Sequence, residues 1–233
     1  MARLGEREVR FVLKRSVKRR RMLLSVDEGG LIVSVPWRTS ERRIDELLQH
    51  SEKWVLGKLE QYAARRRPER VWGEGALLDF MGRQVCMKLV RREGRSLAQL
   101  QDGGRLLLGL AEPERAAHVR ELVIHWYRRH AAPHLRSRAD HFAQRLGEPA
   151  PRVLLSSALG RWGSCNAKRE VRLNWRLMQA PAHVIDYVVA HEVAHLRVMS
   201  HSSRFWKVVE QLHPQYATAR AELDTMGHWY MSL

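Results

Sequence analysis

Alternation of apolar and polar positions marks three short strands near the N-terminus, Val9 to Leu13, Met22 to Val26 and Leu31 to Val35. Asp27-Glu28-Gly29-Gly30 supplies a hairpin turn and Pro36 closes the run, so a small antiparallel sheet is expected. The period changes after Thr39 and Ser40, either of which can cap a helix. Ile44, Leu47, Leu48, Trp54, Val55 and Leu59 then fall near helical spacing, and the helix runs into the polar tract Ala63 to Arg70. Val71 to Phe80, Gln84 to Val90 and Leu106 to Leu110 read as further strands that extend the first sheet, separated by Gly82 and by Asp102-Gly103-Gly104.

From Pro113 to Leu146 the apolar positions Val119, Leu122, Val123, Trp126, Leu135, Phe142 and Leu146 return to helical spacing, with Pro133 expected to kink or divide the helix. Gly147-Glu148-Pro149 stops it. Arg152 to Ser157, Gly160 to Cys165 and Val171 to Trp175 then suggest strands of a β-meander, with Asn166 to Glu170 as a polar turn. Pro181 to Met199 is a strong helix, Pro181 fitting its first turn. The pattern predicts an α+β chain with a β-rich N-terminal module over 1–110, holding a β-hairpin and one helix, and a second domain over 111–233.

With 233 residues the chain can bury a sizeable core. No stretch approaches the roughly 18 consecutive apolar residues of a spanning helix, and the first residues show no export signal. Cys86 and Cys165 lie far apart, which disfavours a disulfide framework and points to a reducing, cytoplasmic setting. The net charge is +16, of which residues 1–72 carry +8 and residues 73–150 and 151–233 carry +4 each. Such a field favours nucleic acid or acidic partners. The densest basic tract, Lys14 to Arg21, reads most simply as a solvated loop or a charge-protected edge strand.

The chemistry concentrates in the helix Pro181 to Met199. His191-Glu192-Val193-Ala194-His195 places two histidines four residues apart, about 40° apart in direction and one turn apart in height. Both imidazoles reach one ion, and the intervening glutamate falls where a metallopeptidase holds its general base. Two imidazoles and a carboxylate in an otherwise apolar helix are costly to bury unless paired or metal-bound. The expected function is therefore hydrolysis of peptide bonds in a protein or peptide substrate by a zincin-like domain, its active-site helix packed beside a small antiparallel sheet. One Zn2+ per chain would acidify a water, and Glu192 would take the proton and pass it to the leaving amine.

A catalytic zinc usually has three protein ligands, and His201 is the best third donor. The spacing from His195 to His201 is also that of the metzincin peptidases, but their glycine is replaced here by Val198, which resists a positive φ, so the chain is expected to leave the helix near Met199-Ser200. His213 and His228 are weaker candidates. His118, His125, His130, His134 and His141 read as surface or core residues. Arg161 is a candidate substrate or oxyanion contact, Cys165 is most simply a small buried side chain, and a strand edge upstream could pair with an extended peptide. The competing reading is a basic nucleic-acid-binding protein with a structural or vestigial metal site.

Gly160-Arg161-Trp162-Gly163-Ser164-Cys165, Leu173-Asn174-Trp175-Arg176-Leu177, Asp186 through Leu196, His201-Ser202 and Phe205-Trp206 together resemble the YgjP-like metallopeptidases, which are related to the SprT-like and Wss-like zincins. The resemblance is dense from about 150 to 220 and extends to the basic N-terminal strands, Pro36 and the helix holding Trp54. It implies an α+β fold and a zinc site of His191, His195 and His201 with Glu192 as base. Ser200 stands where many relatives have Asn. By analogy with SprT-like and Wss-like relatives, it also implies a DNA-associated protease.

Overall fold

The computed structural model of the chain describes residues 1–27, 29–65 and 70–233. They form two compact units, residues 1–70 and 71–233, each with its own apolar core. The fold is α+β.

In the first unit β1 (Ala2–Leu4) and β2 (Arg7–Val9) make a hairpin, and β3 (Phe11–Ser16), β4 (Leu23–Asp27) and β5 (Gly30–Pro36) make a sheet. Pro36 ends the last strand, as its missing N–H dictates. The sheet order is β3-β5-β4, with β5 antiparallel to β4 and parallel to β3, so the sheet is mixed where alternation alone suggested antiparallel pairing. Burial explains the order. Leu31, Val33 and Val35 are fully covered and take the centre, while the strand carrying Lys14 and Arg15 goes to the edge. The chain reverses after β3 and again after β4, which leaves β3 and β5 running the same way. Glu28 of the expected turn lies outside the described residues, as do residues 66–69 of the polar tract.

The single expected helix is two, α1 (Glu41–His50) and α2 (Glu52–Arg65). Ser51 separates them: its N–H is shared between the Leu47 and Leu48 carbonyls, and its own carbonyl accepts from Val55. Serine holds a helix interior poorly because its side chain competes for backbone groups. Ile44, Leu48 and Val55 face the core of this unit.

The second unit opens with β6 (Leu77–Phe80), β7 (Arg83–Arg91), β8 (Leu97–Gln101) and β9 (Arg105–Leu110), in the order β6-β7-β9-β8. These strands build a sheet of their own rather than extending the first, and they belong to the unit that the sequence pattern placed after residue 110. β8 was not expected. It pairs with β9 across Gly103 and Gly104, both at positive φ.

One continuous helix, α3 (Ala116–Leu146), contains Pro133 without being divided. Pro133 sits on the exposed side, where water can serve the carbonyl it leaves free, and Trp126, Ala131, Leu135 and Ala139 keep the helix on the core above and below it. Gly147 caps it in the left-handed conformation, φ 68°.

β10 (Arg152–Ser156), β11 (Gly163–Cys165) and β12 (Glu170–Asn174) form a sheet of order β10-β12-β11. β12 is antiparallel to β11 but parallel to β10, because residues 157–169 cross over before the chain returns. The sheet beside the histidine helix is therefore mixed rather than a meander. A 3-10 turn (Trp175–Gln179) leads into α4 (Ala182–Ala194), followed by α5 (Ser203–Leu212) and α6 (Tyr216–Met231). α4 packs against α3, α5, α6 and β11, and is covered along most of its length. Among the described residues no helix is long and apolar enough to cross a membrane.

Candidate metal centre

α4 is positioned before any ligand is considered. Val184, Ile185, Val188, Val189, Val193 and Ala194 bury against the core, and Asp186 accepts a forked pair of bonds from Arg138 of α3, at 2.6 and 3.0 Å. Such a two-point contact fixes rotation as well as distance. It sets the face on which His191 and His195 project.

The helix ends earlier than expected. His195 is its C-cap, and Leu196 to Val198 turn away through bonds back to Val193 and Ala194. Val198 needs no positive φ in this exit. Its carbonyl accepts from Nδ1 of His195 at 3.1 Å. That bond puts the proton on Nδ1 and leaves the Nε2 lone pair of His195 free.

His201, carried on the segment that enters α5, comes back over the helix. Its Nε2 lies 3.0 Å from Nε2 of His191, and ligand atoms of His191, His195 and His201 all lie within 4.8 Å of one another. Nitrogens about 2.0–2.1 Å from a tetrahedral zinc stand about 3.4 Å apart, so the cluster lies within about an ångström and a half of the spacing a single ion requires. The donor set fits as well. Burial, with the neighbouring imidazoles, drives His191 down to about 4, and burial lowers His195, so both rings are neutral near pH 7. Phe205 of α5, fully buried, touches all three rings: centroids lie 4.9 Å from His191, 4.5 Å from His195 and 4.7 Å from His201. It forms an apolar wall behind the imidazoles.

Glu192 lies on the neighbouring face of α4 and is only 7 % exposed. Burial pushes its carboxyl up to about 7, opposed by the positive charge of Arg161. A carboxyl poised near neutrality suits proton transfer in both directions. Its side chain occupies the space above Gly163 on β11, where a Cβ would stand 2.5 Å from Glu192 Cγ and 2.6 Å from Oε1. The glycine is thus part of the site's shape. Gly163 in a strand signals close approach of another group, but the sequence does not name the group.

Arg161 lies on the exposed loop between β10 and β11, and its charge reaches Glu192. Asn174, fully buried, shapes that loop: its Nδ2 donates to the carbonyls of Ala158, at 2.7 Å, and Arg161, at 3.3 Å, while its N–H donates to Trp162. Trp175 Nε1 adds a bond to Ser157. Cys165 is half-buried, and burial raises its thiol. His213 stands apart from the cluster and donates through Nε2 to the His183 carbonyl; His228 is likewise outside it.

A family model described as the YgjP-like metallopeptidase domain matches residues 20–226. The chain belongs to this family. The match takes in β4, β5, α1 and α2 of the first unit and nearly all of the second, and it begins after β1, β2 and β3. Membership makes the protein a metallopeptidase in general terms, a hydrolase that uses a metal and acts on protein or peptide. No curated protein and no solved structure matches the chain significantly.

Proposed function

We propose that this YgjP-like protein is a zinc peptidase in which His191, His195 and His201 hold one Zn2+ and Glu192 is the general base. The observation that carries this reading is the convergence of three imidazoles, with those of His191 and His195 kept neutral by burial, beside a buried carboxyl raised to about 7. Zinc bound there would supply Lewis acidity, acidifying a water and polarising the scissile carbonyl.

Each protein group then has a task. Glu192 accepts the proton of the attacking water and returns it to the amine that leaves; its raised affinity for the proton makes it a competent base and a competent acid in turn. Phe205 keeps bulk water from the far side of the imidazoles. Arg161, on a loop fixed by Asn174, is assigned to the negative charge that develops on the carbonyl oxygen. β11 is a sheet edge beside α4, and its free side would take an extended substrate by backbone pairing.

The test is the pair Glu192→Gln and His191→Ala. The first should retain about one zinc per chain and lose peptide hydrolysis; the second should lose both. Undiminished hydrolysis by Glu192→Gln would refute the assignment of the base.

A second reading is supported by the +16 charge, half of it within residues 1–72. The N-terminal module would contact nucleic acid and bring the peptidase to DNA-bound protein, in a cytoplasmic setting that suits two free cysteines. Salt-dependent DNA binding, with stimulation of Glu192-dependent cleavage by single-stranded DNA, distinguishes this from a plain peptidase. DNA binding that persists in His191→Ala without any proteolysis would favour a binding module with a vestigial metal site.

A further inference from the structure

Beside the histidine cluster lies a second group of side chains that neither metal binding nor proton transfer uses. Trp206 of α5 borders the cluster, its ring centroid 5.7 Å from His191 and 6.1 Å from His201. Tyr216 of α6 stacks on Trp206, with centroids 5.6 Å apart and planes 24° apart. One turn further along α6, Arg220 places its guanidinium carbon 5.1 Å from the centre of the Trp206 ring.

The arginine is positioned and only loosely paired. Its ion pair among the described residues is with Asp224, one turn on, at 3.9 Å and with a largely exposed carboxylate. A guanidinium lying over an aromatic ring keeps its in-plane N–H donors for another partner, and a carboxylate matches that fork.

Resting on the peptidase reading, we infer that Arg220, held on Trp206 and Tyr216, binds a carboxylate of the peptide substrate a few residues from the bond that is cut. Only one indole ring separates the guanidinium from the histidines. Extended backbone advances roughly 3.3 Å per residue, which places the recognised carboxylate two or three residues from the scissile bond. That carboxylate is either an acidic side chain or the free end of the peptide. The first makes the enzyme selective for acidic sequences, and the second makes it trim ends.

Zinc-loaded wild type, Arg220→Gln and Arg220→Glu are compared on fluorogenic peptides that differ only in carrying Glu, Gln or Lys near the cleavage site, each with a free or an amidated end. The same labelled peptides are titrated by fluorescence anisotropy onto zinc-loaded Glu192→Gln, with and without Arg220→Gln. Wild type should favour Glu over Gln about tenfold in kcat/KM, as one charge-assisted pair allows. The ratio should fall to about one in Arg220→Gln, and Arg220→Glu should prefer Lys. A Glu preference that persists on amidation assigns the carboxylate to a side chain; if it is instead the peptide end, wild type cuts free-ended peptides about tenfold faster than amidated ones whatever the side chain, and Arg220→Gln abolishes that difference. Equal binding of charged and neutral peptides, or a preference unmoved by Arg220→Gln, overturns the subsite. A wild type that cuts no peptide refutes the peptidase reading, while the anisotropy ratio still decides whether Arg220 binds a carboxylate.

Discussion

Gly163 and Glu192, 29 positions apart in sequence, occupy one volume: a methyl group on the first would lie 2.5 Å from Cγ of the second. Neither partner can yield cheaply, since the glycine is on a paired strand and the glutamate on a buried helix. Gly163→Ala should therefore displace the Glu192 carboxyl and reduce hydrolysis by about a hundredfold or more, as misplacement by about an ångström does, while zinc stays bound. Metal content and kcat measured together check this. Normal kcat in Gly163→Ala would show that the carboxyl works from elsewhere.

Glu192 also makes the metal-free protein pH-sensitive. Its carboxyl titrates at about 7 when folded and near 4.5 when unfolded, so the folded state retains a proton that the unfolded state releases. The resulting stabilisation is complete below about 4.5 and is lost as pH rises through 7, a loss of about 3 kcal/mol. His191, lowered from 6.5 to about 4, acts with opposite sign between those values and is common to wild type and Glu192→Gln. Relative to Glu192→Gln, metal-free wild type should thus lose melting temperature steadily from pH 4.5 to about 7 and level off above it. A difference that stays flat across this range contradicts the buried acid.

Phe205 contacts all three imidazoles and is fully buried. Phe205→Ala should cost about 3–5 kcal/mol in stability through the cavity it opens. It should also weaken zinc binding, because the rings lose the wall that fixes their rotamers. Phe205→Leu should recover most of the stability and less of the affinity. Denaturant melts and competitive chelation separate the two effects.

Asn174→Asp keeps the shape of the side chain but removes the amide donors that hold the carbonyls of Ala158 and Arg161. A loss of about 1–3 kcal/mol per unsatisfied group follows. Peptide turnover should fall with it, while zinc content is unchanged. Differential hydrogen exchange at residues 157–162 would report the loosening directly.

The histidine pair was legible because helical periodicity is local: a four-residue step on an apolar helix defines a face without reference to the rest of the chain. Trp126 and Phe142 were legible as core positions for the same reason. Pairing partners were not. Nothing in the alternation of Phe11 to Ser16 tells whether its neighbour is β4 or β5, and the answer depended on which strand was most apolar. Ser51 broke a helix whose apolar spacing continued across it. The shape of the site was equally hidden, since the contacts of Gly163 with Glu192, of Asn174 with the 157–162 loop and of Arg220 with Trp206 join residues whose proximity only the tertiary fold creates.

His195 caps the C-terminal end of its helix, and the carbonyl that orients it belongs to Val198, in the turn by which the chain departs. The aim of one ring is thus inherited from an exit path. A glycine at position 198 would open left-handed routes out of the helix, re-aim that carbonyl and rotate the imidazole about its own bond. Two chains with an identical string of histidines, wired through different turns, would present different faces of the same ligand to their ion.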